Sequence, residues 1–176
     1  MRYLIVSDIH GDKSSAEFIL NKYKSGDFCK LICLGDVLYH GPRNDLPEFY
    51  NPKEVIKLLN SISNDIICIQ GNSDAEVDHM VLSFDIVKSI DLNINGYNCH
   101  FEHGHHLDKY NGNHNIVFVG HTHIPLIEEE NNQVFVKPGS ISIPKNGSNR
   151  DYIIFDDNKI TIYDINDNIV KEYILK

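Results

Sequence analysis

The chain has 176 residues, 23% of them charged and 41% hydrophobic, and a formal net charge of −9. That size and composition fit one ordinary soluble globular domain spanning residues 1–176. The acid excess, with no basic tract and no basic-aromatic interleaving, argues against extended nucleic acid or an anionic membrane as partner and favours a small substrate.

Tyr3-Leu4-Ile5-Val6 is a strand-like run that leads straight into Asp8-Ile9-His10. Ala16, Ile19, Leu20 and Tyr23 then recur at three- and four-residue spacing, which predicts a helix with one buried face. Residues 31–34 form the next apolar run and end on Gly35-Asp36. A second helix opens with Asn51 as N-cap, Pro52 in the first helical position and Glu54 in the third, and Val55, Leu58, Leu59 and Ile62 share its inner face. Residues 66–69 run into Gly71-Asn72, and a short third helix is expected over 75–82. Strands alternating with helices imply parallel pairing and right-handed crossovers.

The second half changes character. Phe84, Ile86, Ile90, Leu92 and Ile94 alternate with mostly polar neighbours, as in one half-buried strand. Asn95-Gly96 supplies a type I′ hairpin turn, and Tyr97, Cys99 and Phe101 alternate on the return into His103-Gly104. Residues 116–119 run into Gly120-His121-Thr122-His123. Later strands are predicted at 134–136, 152–155, 159–163 and 169–174, separated by turns rich in Gly, Asn and Asp. The expected architecture is α/β, with two sheets packed together, helices outside, and no internal repeat or domain boundary.

Met1 leads into a strand without a leader pattern, and no apolar run reaches the length of a membrane span. Cys29, Cys33, Cys68 and Cys99 lack Cys-x-x-Cys spacing and read as reduced thiols used as small hydrophobes. Both features suit a reducing cytoplasm.

Five strand-like runs thus end on Asp, Asn or His. In open α/β sheets, ligands collect beyond the carboxyl ends of the strands, which here would gather two Asp, one Asn and four His. A single Gly-Asp after a strand is usually a plain turn, but five ends in the same order are not. Residues two apart in extended backbone share a face, so Asp8 and His10 can hold one ion, while His121 and His123 can splay at a strand end to serve two. Oxygen and imidazole donors without thiolate favour Mn²⁺, Fe or Zn²⁺. Two ions sharing a carboxylate suit phosphoester hydrolysis, with a hydroxide held between them as the nucleophile.

The order Asp-x-His, Gly-Asp, Gly-Asn, His-Gly-His, Gly-His-x-His resembles that of the calcineurin-like metallophosphoesterases. The stretches 8–11, 34–38, His40-Gly41-Pro42-Arg43-Asn44, 120–123 and 138–145 resemble the bacterial YfcE-type phosphodiesterases more closely, over essentially the whole chain. The resemblance implies a two-sheet αββα sandwich and hydrolysis of phosphodiesters by two divalent ions, Mn²⁺ first, with Fe, Zn²⁺ or Ni²⁺ as alternatives. It assigns Asp8, His10 and His123 to one metal, Asn72, His103 and His121 to the other, and Asp36 to both.

One departure stands out. Many members of the wider superfamily carry a histidine after the Gly-Asn, where this chain has Ser73, a poor general acid at neutral pH. Arg43, and Asn44 beside it, are candidates to clamp a phosphate oxygen, or simply to brace their loop. His105 and His106 are candidates for proton transfer, and Asp74 for orienting a ligand or capping a helix. His40, His79, His100 and His114 are assigned to structure or surface. The same site would also serve a phosphomonoesterase or nuclease, and a non-catalytic protein-binding scaffold shares this kind of fold; room remains for a homo-oligomer.

Overall fold

The computed structural model describes all residues, Met1–Lys176. The parallel half of the first sheet is built from β1 (Arg2–Val6), β2 (Lys30–Cys33), β3 (Ile66–Ile69) and the short β4 (Ile86–Val87), in that order. On the other side of β1 the C-terminal strands β10 (Asp151–Asp156), β11 (Lys159–Asp164) and β12 (Ile169–Ile174) add antiparallel, completing seven strands. The second sheet orders β5 (Ser89–Ile94), β6 (Tyr97–Glu102), β7 (Ile116–Val119), β9 (Gln133–Pro138) and β8 (Pro125–Glu130). Within it β6, β7 and β9 are parallel. Crossovers of the first sheet are α1 (Lys13–Ser25) and α2 (Pro52–Asn60), both on its outer face.

Alternation within the parallel strands decides which layer each residue joins. Leu4 and Val6 of β1 face the helices with Ala16, Ile19, Val55 and Leu59, whereas Ile5 faces the second sheet. Burial on both sides explains why these strands read as continuous apolar runs. Between the sheets Phe101 and Phe118 stack at 4.8 Å, and Phe118 meets Phe155 of the opposite sheet at 5.9 Å. The α2 cap forms as the sequence specifies, Asn51 Oδ1 accepting from Glu54 N at 3.3 Å. Asn95 and Gly96 both take positive φ in the β5–β6 turn.

Three elements differ from expectation. The third helix shrinks to one turn, α3 (Asp78–Val81), and Ala75 N donates to Asp78 Oδ2 at 2.9 Å in the turn that leads into it. The single strand expected over 84–94 is two: Ile86–Val87 closes the edge of the first sheet, and past Lys88 the chain crosses to the second. β8 carries no alternating pattern; beginning on Pro125 and ending in three glutamates, it is an edge strand of the kind that resists further pairing. The outer face of the second sheet carries no α-helix, only a 3₁₀ turn (Leu107–Lys109) in the loop between β6 and β7.

Phe118 is fully buried at the meeting point of the sheets. Phe118→Ala should therefore cost about 3–5 kcal/mol of unfolding free energy, read from the midpoint of urea denaturation.

Candidate metal centre

The carboxyl ends of β1, β2, β3, β6 and β7 open at one end of the sandwich, and the candidate residues follow them. Five of these take left-handed backbone: Asp8 (φ 58°), His10 (50°), Asp36 (56°), His121 (66°) and His123 (59°). Such angles cost a non-glycine residue about 1–3 kcal/mol and persist only where the surroundings impose them. Here the loops after β1 and β2 are laced together, Asp8 N to Gly35 O (3.1 Å), His10 N to Asp36 O (2.8 Å) and Gly11 N to Val37 O (2.8 Å). Asp8 and His10 therefore meet through consecutive left-handed turns, not through the extended backbone inferred from their spacing.

Close approach is enforced elsewhere by missing side chains. A Cβ on Gly71 would lie 2.1 Å from Asp36 Oδ1, and one on Gly120 would lie 2.0 Å from Ser7 Oγ. Asp74 ties the ends of β2 and β3: its carboxylate accepts from Asp36 N (2.8 Å), Val37 N (2.8 Å) and Gly71 N (2.7 Å). It orients the backbone of a candidate ligand, and does not cap a helix. Ser140 serves the other flank, donating to Asp8 O at 2.8 Å and accepting from Ile143 N at 2.9 Å.

Three imidazoles are aimed by main-chain carbonyls. His10, His103 and His123 donate from Nδ1 to Tyr39 O (2.8 Å), Leu34 O (2.6 Å) and Ile143 O (2.7 Å). Each ring thereby turns the lone pair of Nε2 inward. His10 Nε2 and His123 Nε2 are 3.2 Å apart, and Asp8 Oδ1 lies 3.4 Å from the first and 3.2 Å from the second. Asp36 Oδ2 stands between two groups, 3.7 Å from His10 Nε2 and 3.5 Å from His103 Nε2. Asn72 Oδ1 is 3.2 Å from His103 Nε2, and the His121 ring lies 5.1 Å from that of His103. His121 and His123 thus splay, one beside His103 and the other beside Asp8 and His10.

The electrostatics call for a cation. Asp8 Oδ1 is buried and makes no hydrogen bond, and the only basic groups within ion-pair distance of Asp8 and Asp36 are these histidines. Burial alone would push Asp8 up, but the neighbouring His10, His123 and His103 outweigh it and hold the carboxyl far below its usual range. Asp36 is likewise lowered, burial being outweighed chiefly by His103. Burial depresses His103, yet Asp36 and Asp8 overcome it and lift the ring to about 9. His121 is lowered by burial and by His103, which leaves its lone pair free. Inward-facing nitrogens that repel across 3.2 Å, with carboxylates and no lysine or arginine among them, fit divalent cations.

The remaining candidates line the mouth. Arg43 is exposed on a polar opening shared with Asp36, Asn72, Ser73, His121, His123 and Lys145. Lys145 closes the 138–145 stretch that carries part of the resemblance, and its place at this opening gives it a candidate role that the stretch alone does not. Asn44 Nδ2 donates to His40 O at 2.7 Å, bracing the Arg43 loop. Ser73 packs against Asp36, giving N to Oδ1 (2.8 Å) and Oγ to Oδ2 (3.1 Å). His105 and His106 are exposed on a second opening beside Asn72 and His103, and the His105 ring is 5.5 Å from that of His103.

The model of the calcineurin-like phosphoesterase superfamily domain matches residues 1–159. The chain belongs to that superfamily. Phosphodiesterase YfcE of Escherichia coli K12 is 36% identical, over 97% of this chain and 95% of that protein. The solved structure of E. coli YfcE, described as a phosphoesterase, matches with a TM-score of 0.96 at 32% identity and covers 100% of both chains. Vps29 of Chaetomium thermophilum shares the fold, with a TM-score of 0.63 at 15% identity over 100% of this chain and 98% of that one.

Because the unfolded pKa of His103 is near 6.5, the metal-free folded state holds an extra proton between that value and about 9, and its stability falls as pH rises through this window. A cation must displace that proton, so its affinity rises with pH. The melting temperature of metal-free protein should drop between about pH 7 and about pH 8.5, while the gain given by added Mn²⁺ grows. A gain independent of pH would remove His103 from the set.

Proposed function

We propose that residues 1–176 form one catalytic domain that hydrolyses small phosphodiesters with two divalent cations, Mn²⁺ foremost and Fe, Zn²⁺ or Ni²⁺ as alternatives. Asp8, His10 and His123 would hold one cation, Asn72, His103 and His121 the other, and Asp36 both. The observation that carries this reading is the buried, unpartnered Asp8 Oδ1 facing two imidazole nitrogens whose far sides are fixed on carbonyls. Kinship with a protein named phosphodiesterase over nearly the full length of both chains supplies the ester class. When bound, such cations supply Lewis-acid activation of water and neutralise charge on the phosphoryl oxygens.

The chain's own residues do the rest. Arg43 and Lys145 offer cationic donors at the mouth to the non-bridging oxygens of an incoming diester. Ser73 holds Asp36 by two hydrogen bonds and so fixes the shared carboxylate, a positioning role distinct from proton donation. His105 is lowered by burial and by the neighbouring His103 and His106, which favours an unprotonated ring able to accept a proton from the water side or relay one outward. A single diester fits the two openings flanking Asn72 better than a long polyanion does, given the net charge of −9. The four free cysteines support a reducing, cytoplasmic setting, and no helix is long and apolar enough to cross a membrane.

Asp36→Ala should lower hydrolysis of a nitrophenyl diester by more than about 100-fold, beyond what losing an outer partner of a metal ligand costs, and should release metal as measured by elemental analysis. Full metal content with near-normal turnover would sink the shared-carboxylate reading.

Diesters should be cleaved faster than monoesters, and single-turnover rates on aryl methyl phosphates should fall steeply as leaving-group pKa rises, because Ser73 donates no proton. Ser73→His should flatten that dependence. A flat series in the unsubstituted protein would assign the proton to another residue, His105 first.

A further inference from the structure

A separate set of metal-type donors lies on the outer face of the five-stranded sheet, away from the strand ends. Asp91 of β5 and His100 of β6 are paired across the hairpin, and His114 closes over them from the loop between β6 and β7. Asp91 Oδ1 is 2.6 Å from His100 Nδ1 and 3.3 Å from His114 Nε2, and the donor atoms all lie within 4.8 Å of one another. The two rings are 5.1 Å apart.

The far side of each ring is engaged. His100 Nε2 faces Glu102 Oε2 at 3.3 Å, and His114 Nδ1 faces the Tyr110 hydroxyl at 2.9 Å. Gln133 Nε2 fixes that hydroxyl from below at 3.1 Å. Outer partners that accept from the far ring nitrogen, a carboxylate among them, orient an imidazole toward a metal and set its tautomer. Here they turn His100 Nδ1 and His114 Nε2 onto one carboxylate oxygen. Glu102 can only accept and so sets the His100 tautomer as carbonyls do at the strand ends, whereas the Tyr110 hydroxyl fixes the direction of the His114 ring.

We propose that Asp91, His100 and His114 form a further metal site, taking one zinc-type divalent cation through two imidazole nitrogens and one carboxylate oxygen. Three protein donors of these types leave the fourth tetrahedral position to water, because the site is open on one side. Mg²⁺ and Ca²⁺, which demand oxygen ligands, do not suit it. The cation would fasten the loop of residues 104–115 to the sheet. That loop begins beside His103 and carries His105 and His106, so the outer site would act on the mouth of the centre without contributing to it.

The test uses Asp36→Ala protein, in which the strand-end centre is disabled, so that the result does not depend on the proposed catalysis. After dialysis against Zn²⁺, elemental analysis should find one more equivalent in Asp36→Ala than in the Asp36→Ala/His114→Ala double variant. Equal uptake would overturn the site. Should the double variant fail to fold, unsubstituted protein and His114→Ala are compared instead. One equivalent less in His114→Ala supports the site, and equal content overturns it.

Discussion

Lone pairs pointed at one another are the constraint on which the rest of this structure depends. His10, His103 and His123 each commit Nδ1 to a main-chain carbonyl, so their Nε2 atoms have no choice but to face inward, toward two buried carboxylates. In a metal-free chain that geometry is relieved only by protons shared among the groups, which is why His103 rises and Asp8 and Asp36 fall together. Removing a carbonyl from its place would let a ring rotate and spoil the arrangement as surely as removing the ring.

Holding the centre in place falls to the loops. Left-handed backbone at five of the candidate positions opposes folding, and main-chain bonds between the loops after β1 and β2 impose it. Asp74 and Ser140 act as paired buttresses, the first gathering three N–H groups from two strand ends, the second joining Asp8 to the segment that orients His123. The sandwich beneath supplies rigidity through its shared aromatic layer, where Phe101, Phe118 and Phe155 join the two sheets that carry opposite halves of the centre.

Much of this was legible in the sequence. The five runs ending on Asp, Asn or His lie where the two-sheet reading put them, and the Asn51 cap and the Asn95-Gly96 turn formed as specified. What escaped notice had physical reasons. β8 lacks alternation because an edge strand facing solvent needs none, and the crossing at Lys88 hides inside a pattern whose parity is the same in both sheets. The sign of φ at Asp8 and His10 is invisible in periodicity. The carbonyls that aim the imidazoles belong to Leu34, Tyr39 and Ile143, whose side chains say nothing of the task. His100 and His114 were set aside because nothing in their spacing brings them to Asp91; only the hairpin register and the loop closing over it do so.

The position of β1 has a consequence for how the molecule is made. β1 is flanked on one side by β2 and on the other by β10, so it waits for residues 151–156 before its second edge is covered. The centre likewise draws on chain from Asp8 to Ile143. A growing chain therefore exposes half a sheet and half of the candidate donor set until residues 143–156 have emerged. Its long-range closures come late and together, which makes for slow, concerted folding and lets the candidate site assemble only after residue 143.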